Sequence, residues 1–156
     1  MRLVLDTDVL LSGLRSPAGA SRILLIAVWE GVIQPLAGVA TMIECEAVLK
    51  RPQHLAEMNL EPQHIDAFLD AFALMVEPVV PYFLYRPSTI DPDDDMYMDI
   101  AVAGGAEALV TFNLKDYQPV DPVGRRFEVR RCRPGEMVQE MMWRPSPASL
   151  SGFRLR

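Results

Sequence analysis

The chain has 156 residues, half of them hydrophobic, and a formal net charge of -6. That is enough for one domain with a real core, and too apolar for a disordered acidic tail. The negative balance argues against packaging nucleic acid by neutralising many phosphates. It leaves a metal-dependent nuclease open, because bound cations reverse the local sign of a carboxylate pocket.

Taken in chain order, Leu3-Val4-Leu5 reads as a short, continuously apolar strand, as in a parallel sheet covered on both faces. Val9-Leu10-Leu11 prolongs the apolar character, and Ser12-Gly13 and Ser16-Pro17 signal a turn region. The spacing predicts a helix over 20–30, with Ile23, Leu24, Ala27 and Val28 inward and Gly31 as its stop. Val32-Ile33 predicts a strand ended by Pro35. A helix over about 40–50 carries Met42, Cys45, Val48 and Leu49 and ends at Pro52. A third helix, 61–76, repeats the pattern through Ile65, Phe68, Leu69, Phe72 and Met75. Val79-Val80 predicts a brief strand and 82–90 a loop. Asp91 suits the N-cap, and Pro92 the first position, of a helix over about 92–104. Strands are predicted at Ala108-Leu109-Val110 and Glu128-Val129, and a helix over 136–143 after Pro134-Gly135. The plan is one α/β domain over 1–143. Its strands lie mostly parallel in one sheet, with helices on both faces, and 144–156 forms a flexible C-terminal tail.

Several function classes find no support. No apolar run approaches the roughly 20 residues that cross a bilayer. The acid at position 6 ends the opening apolar run too early for a signal peptide, so a cytoplasmic location is expected. Cys45 and Cys132 read as two free thiols, and His54 and His64 lack zinc-site companions. No Gly-rich phosphate loop marks a nucleotide site, and Ser12 lacks a nucleophile-elbow context.

The acids carry the chemistry. Asp6 ends the first strand, the edge where ligands gather in open α/β sheets, although a cap for the turn at Thr7-Asp8 explains it equally. Asp8 either shares that site or binds turn amides. Glu44 and Glu46 are two apart on a helix, so at most one enters a given pocket, and Thr41 with Glu44 also matches a capping box. First-turn preference accounts for Asp91, Asp93 and Asp94. It accounts less well for Asp95 and Asp99, which share one face of a largely buried helix and repel unless something positive lies between them. Asn113 and Asp116 follow Val110-Thr111 at a second strand end, where turn residues are also ordinary. Oxygen-only ligands from these regions suit Mg²⁺ or Mn²⁺.

These residues together resemble the PIN-domain nucleases, most closely small bacterial toxin components of toxin–antitoxin pairs. Residues 3–11 are similar to the family's opening strand and first acid, with Asp8 where Asn is commoner. Glu44 to Pro52 is similar to its second acidic helix. Asp91-Pro92-Asp93-Asp94-Asp95, Ala101 to Gly105, Leu109-Val110-Thr111 and Asn113 are similar to its later elements. The ordered set spans 2 to about 142. The resemblance implies a three-layer α/β/α sandwich and Mg²⁺- or Mn²⁺-dependent endonucleolytic cleavage of RNA. It implies Asp6, Glu44 and Asp95 as metal carboxylates with Asp99 beside them, and Asn113, where many relatives have Asp, as a group positioning water or phosphate. Whether Asp116 and Asp8 reach the site stays open. The implied partners are an RNA substrate, a protein antitoxin near Trp29, Met141-Met142 and Trp143, and a second copy in a homodimer. Two rival readings stay open: a non-catalytic scaffold that binds a protein partner, and a metal-dependent phosphatase suggested by Asp6-Thr7-Asp8.

Overall fold

The computed structural model describes residues 1–84, 86–118 and 129–143. The elements run β1 (Arg2–Leu5), α1 (Thr7–Arg15), α2 (Ala20–Trp29), β2 (Gln34–Ala37), α3 (Val39–Leu49), α4 (Pro52–Met58), α5 (Pro62–Met75) and β3 (Glu77–Pro78). A 3-10 turn (Pro92–Asp94) leads into α6 (Asp95–Ala103), followed by β4 (Ala108–Val110), β5 (Arg131–Cys132) and α7 (Pro134–Trp143). The strands form one sheet in the order β3-β2-β1-β4-β5, and every pairing is parallel.

Alternation along the strands divides the core in two. Leu3 and Leu5 of β1 face a cluster with Val9, Leu24, Leu49, Ile65, Phe72 and Met137 from the helices on one side. Val4, Leu36 and Leu109 face the other side, where Tyr97, Met98, Ile100 and Ala101 of α6 pack with Tyr117. The result is an α/β/α sandwich with β1 at its centre, so whatever follows Leu5 stands in the middle of the carboxyl edge.

Several elements differ from the sequence reading, each for a local reason. α1 is a full helix where an apolar extension and a turn were expected. Its Gly13 is buried against α2: an added Cβ would lie 2.6 Å from Leu25 Cδ1 and 3.0 Å from the Ser21 carbonyl. That glycine marks a close helix approach and not a turn. In α2, Leu25 joins the inner stripe while Ile23 is exposed. The second strand lies at 34–37 and contains Pro35. Gln34 donates to the Met1 carbonyl, so Pro35 faces the opposite side, where β3 pairs only from Leu36 onward and no amide is needed. Pro52 both stops α3 and occupies the first turn of α4, a helix not anticipated. The third strand is Glu77–Pro78, two residues earlier than expected. The late strand is Arg131–Cys132; Val129 is not in it, and Glu128 lies outside the described residues. α7 starts at Pro134.

Cys45 and Cys132 are free and buried, and burial pushes each thiol up to about 11. His54 Nδ1 contacts the Val48 carbonyl, and His64 Nδ1 accepts from the Glu61 amide, so both rings serve helix junctions. Among the described residues no single helix is long and apolar enough to cross a membrane. The expected tail, 144–156, lies outside the described residues.

Candidate metal centre at the carboxyl edge

Asp6 is the residue between β1 and α1. It occupies the N-cap position, but its side chain makes no capping bond. Its Oδ2 instead accepts from Thr111 Oγ1 at 2.7 Å, just past the end of β4, while its amide donates to the Val110 carbonyl. The carboxylate is thus aimed across the edge by the neighbouring strand. It is 7 % exposed, and burial raises its pKa above the ordinary carboxylate value, with the charge of Asp8 adding to the rise.

Glu44 projects from the middle of α3. The helix begins after Gly38, and Thr41 caps it by accepting from the Gly38 amide at 3.0 Å. The expected Thr41–Glu44 capping box does not form, because Thr41 itself bonds Gly38. Glu46 points to solvent and pairs with Lys50 at 2.7 Å. Glu44 Oε2 is buried and has no hydrogen-bond partner among the described residues. Burial raises the Glu44 pKa, and the charges of Asp6 and Asp93 raise it further.

The third acid is Asp94, the last residue of the 3-10 turn. Burial pushes its pKa up to about 7, reinforced by the charges of Asp6, Asp91 and Asp116. Tyr117, fully buried, donates to Asp94 Oδ1 at 3.3 Å, and its hydroxyl also offsets part of the rise in the Asp6 pKa. A phenol has one proton, so it cannot satisfy both carboxylates at once. Tyr97 packs edge-on against Tyr117, centroids 6.5 Å apart, and its hydroxyl meets Thr7 Oγ1, which in turn contacts Cys45 Sγ at 3.1 Å. Two tyrosines therefore form a rigid floor beneath the acids. Burial raises the pKa of both, and nearby carboxylates contribute, so both stay protonated.

Asp95 and Asp99, expected as ligands, are engaged elsewhere. Asp95 Oδ1 accepts from the amides and hydroxyls of both Ser88 and Thr89 at 2.7–2.9 Å. Burial opposes its charge, but those bonds outweigh it and lower the pKa. Asp99 bonds Arg86 Nε at 3.0 Å and lines a cavity with Gly38 and Val79 beside that arginine. The reason is helical phase. Asp94, Tyr97, Met98 and Ala101 lie on one stripe at i, i+3, i+4 and i+7. Asp95 and Asp99 lie on the next stripe. That buried run from Tyr97 to Ala101 was the signal that could have identified Asp94, and Tyr117 and Thr111 had none of comparable strength. Asn113 is exposed, and its amide donates to Thr111 Oγ1. The Asp116 carbonyl accepts from the amides of Ile90 and Asp91, fastening this loop to the 3-10 turn.

The charge of Asp6 acts on both Glu44 and Asp94, with Asp8 beside Asp6, Asp93 near Glu44, and Asp91 and Asp116 near Asp94. Among the described residues, no three His, Cys, Asp or Glu side chains converge closely enough to enclose one ion. The fit to a hard cation rests on other features: a Glu44 oxygen with no partner among the described residues, oxygen-only donors, and an Asp6 charge that raises the pKa of both Glu44 and Asp94. A family model described as the PIN domain matches residues 2–115, which include all three acids. A search of curated proteins finds no match.

Proposed function

The chain belongs to the PIN-domain family, whose fold is that of a nuclease superfamily, and from that premise we propose that it is a Mg²⁺- or Mn²⁺-dependent endoribonuclease, the toxin of a toxin–antitoxin pair. The observation that carries the reading is the excess of negative charge at the centre of the carboxyl edge: Asp6, Glu44 and Asp94, all with raised pKa values and one oxygen without a partner. Asp6 and Asp94 would hold the ion, with Glu44 Oε2 completing the set. The ion, when bound, supplies a Lewis acid that lowers the pKa of a water and screens phosphoryl charge. Thr111 fixes the rotamer of Asp6. Tyr117 keeps Asp6 and Asp94 apart at their inner ends and excludes water from beneath them. Burial and the neighbouring acids push the Asp94 pKa up to about 7 in the metal-free cleft, so a cation bound there would displace its proton. Asn113, exposed at the rim, is placed for a phosphate oxygen or the attacking water. Asp95 and Asp99 serve the 3-10 turn and α6 in this scheme and are not ligands.

Calorimetric titration with Mn²⁺ tests the site, and a fluorogenic single-stranded RNA tests the activity. Asp6→Asn and Asp94→Asn are each expected to abolish metal-stimulated cleavage while the protein stays folded. Full cleavage by either variant removes that residue from the scheme. That no three acids close around one point among the described residues is the observation on the side of the rival reading, a scaffold that binds a protein partner without catalysis. Saturating Mn²⁺ binding that disappears in Asp6→Asn decides against that rival. An antitoxin and a second copy of the chain are the protein partners this proposal carries, and co-purification with the product of a neighbouring gene tests the first.

A further inference from the structure

A cavity of about 510 Å³ opens between α1, the start of α2 and the start of α7, lined by Ser12, Ser21, Arg22, Phe112 and Arg133 among others. It adjoins the acid cleft. Phe112 directly follows Thr111, whose hydroxyl holds Asp6. Ser12 lies six residues along α1 from Asp6, about 9 Å of helical rise at ~1.5 Å per residue. The start of α2 is chemically open. Gly19 occupies the N-cap with no side chain to offer, and no acid lies in the first turn. The amides of Ala20, Ser21 and Arg22 have no intrahelical acceptor. Ser21 lines the cavity, is 4 % exposed, and its Oγ is buried without a hydrogen-bond partner among the described residues. A buried donor left unmade is unfavourable, and an anion at the positive end of the helix satisfies hydroxyl and amides together. The start of α7 differs, because Glu136 already accepts from the Arg133 amide at 2.9 Å there. Glu136 also lines the cavity, so the anion belongs on the α2 side.

We propose that this cavity binds a backbone phosphate of single-stranded RNA, held by the first turn of α2 and Ser21, with an adjacent base stacked on Phe112. The proposal rests on the ribonuclease reading and names how its substrate is held, one or two nucleotides from the acid cleft. Arg22 and Arg133 supply the local positive charge that the chain as a whole lacks. Phe112 is 45 % exposed and presents an aromatic face at the rim, where an unpaired base can stack and a paired one cannot.

The test is fluorescence anisotropy of a labelled decauridylate at low salt, with EDTA present, on the full chain carrying Asp6→Asn. Ala20→Asp places a carboxylate at the helix start, which favours folding and occupies the phosphate position. It is expected to weaken RNA binding about tenfold and to lower the salt slope by about 0.7, the release from one phosphate. Phe112→Ala is expected to weaken binding by about tenfold through lost stacking. Inorganic phosphate should compete with the RNA at this site in the parent protein and not in Ala20→Asp. A duplex of the same length should bind more weakly than the single strand. Unchanged affinity in both Ala20→Asp and Phe112→Ala overturns the proposal, as does a parent protein that binds no RNA. Mn²⁺ titration of the acid cleft is read separately. Loss of the RNA site with Mn²⁺ binding retained sinks only this inference, and the converse sinks only the ribonuclease reading.

Discussion

Asp94 and Asp95 differ by one position in the chain and by almost everything in their surroundings. Asp95 is 1 % exposed, yet it accepts bonds from two amides and two hydroxyls, and its pKa falls below the ordinary carboxylate value. Asp94 is less buried, receives one long bond from Tyr117, faces other acids, and rises to about 7. The contrast separates a carboxylate whose charge the protein itself stabilises from one whose charge the protein leaves uncompensated. Only the second kind gains from a cation. Burial and acidity alone would rank Asp95 first.

The sharpest way to break that contrast is a pair of substitutions. Asp94→Asn should lower RNA cleavage by about a thousandfold, because losing a ligand loses the ion's stabilisation of charge on the phosphoryl oxygens, with the melting temperature unchanged or raised because one repulsive charge has gone. Asp95→Ala should do the reverse. It strands the amides of Ser88 and Thr89 and should destabilise the fold by about 2–3 kcal/mol, read by urea unfolding, while Mn²⁺ affinity falls little. If Asp95→Ala abolishes Mn²⁺ binding in protein that remains folded, the division between the two acids is wrong.

The same pair gives a pH signature. The folded-state pKa of Asp94 lies above its unfolded value of 3.8, so the folded protein binds more protons between about pH 4 and 7. Stability from this group is therefore complete below about pH 4 and lost as pH rises through about 7. Asp6 and Glu44 are raised too and act in the same direction. Asp95 is lowered, so its contribution is present above pH 4 and lost only in more acidic solution. In EDTA the melting temperature should fall from pH 4.5 to 7.5. Asp94→Asn should flatten that fall, and Mn²⁺ should flatten it in the parent. A melting temperature that climbs across this range in EDTA would show that the cleft acids are already compensated.

How far the chain could be read in advance follows the same physical line. β1 and Asp6 were legible because three apolar residues end abruptly in an acid. The helices with unbroken periodicity, α2, α3 and α5, were legible within a few residues. α1 was not, because Ser12 and Gly13 look like a turn until Leu25 of α2 is seen packed on Gly13. β2 was displaced because a proline in a strand is tolerated only where a neighbour is missing, and pairing partners are not written locally. The acid cluster at 91–95 was visible as a cluster. Which member turns into the cleft depends on Asp94 falling in phase with Tyr97, Met98 and Ala101, and on Asp95 being drawn aside by Ser88 and Thr89, residues of a loop without periodic signal.

The mildest test concerns the residue that holds Asp6 in place. Thr111 Oγ1 donates to Asp6 Oδ2 at 2.7 Å and accepts from the Asn113 amide at 3.0 Å. Thr111→Val keeps the shape and removes both bonds, so stability should drop by about 1–2 kcal/mol. A purely structural threonine would stop there. A threonine that orients a metal carboxylate should also lower Mn²⁺ affinity by about tenfold, the usual scale for a partner behind a ligand. Thr111→Ser restores the hydroxyl without the methyl, so it should recover the metal affinity and regain only part of the stability. Equal recovery of both, or Mn²⁺ affinity untouched in Thr111→Val, would assign Thr111 to packing and leave Asp6 to find its orientation from β1 and the Val110 carbonyl alone.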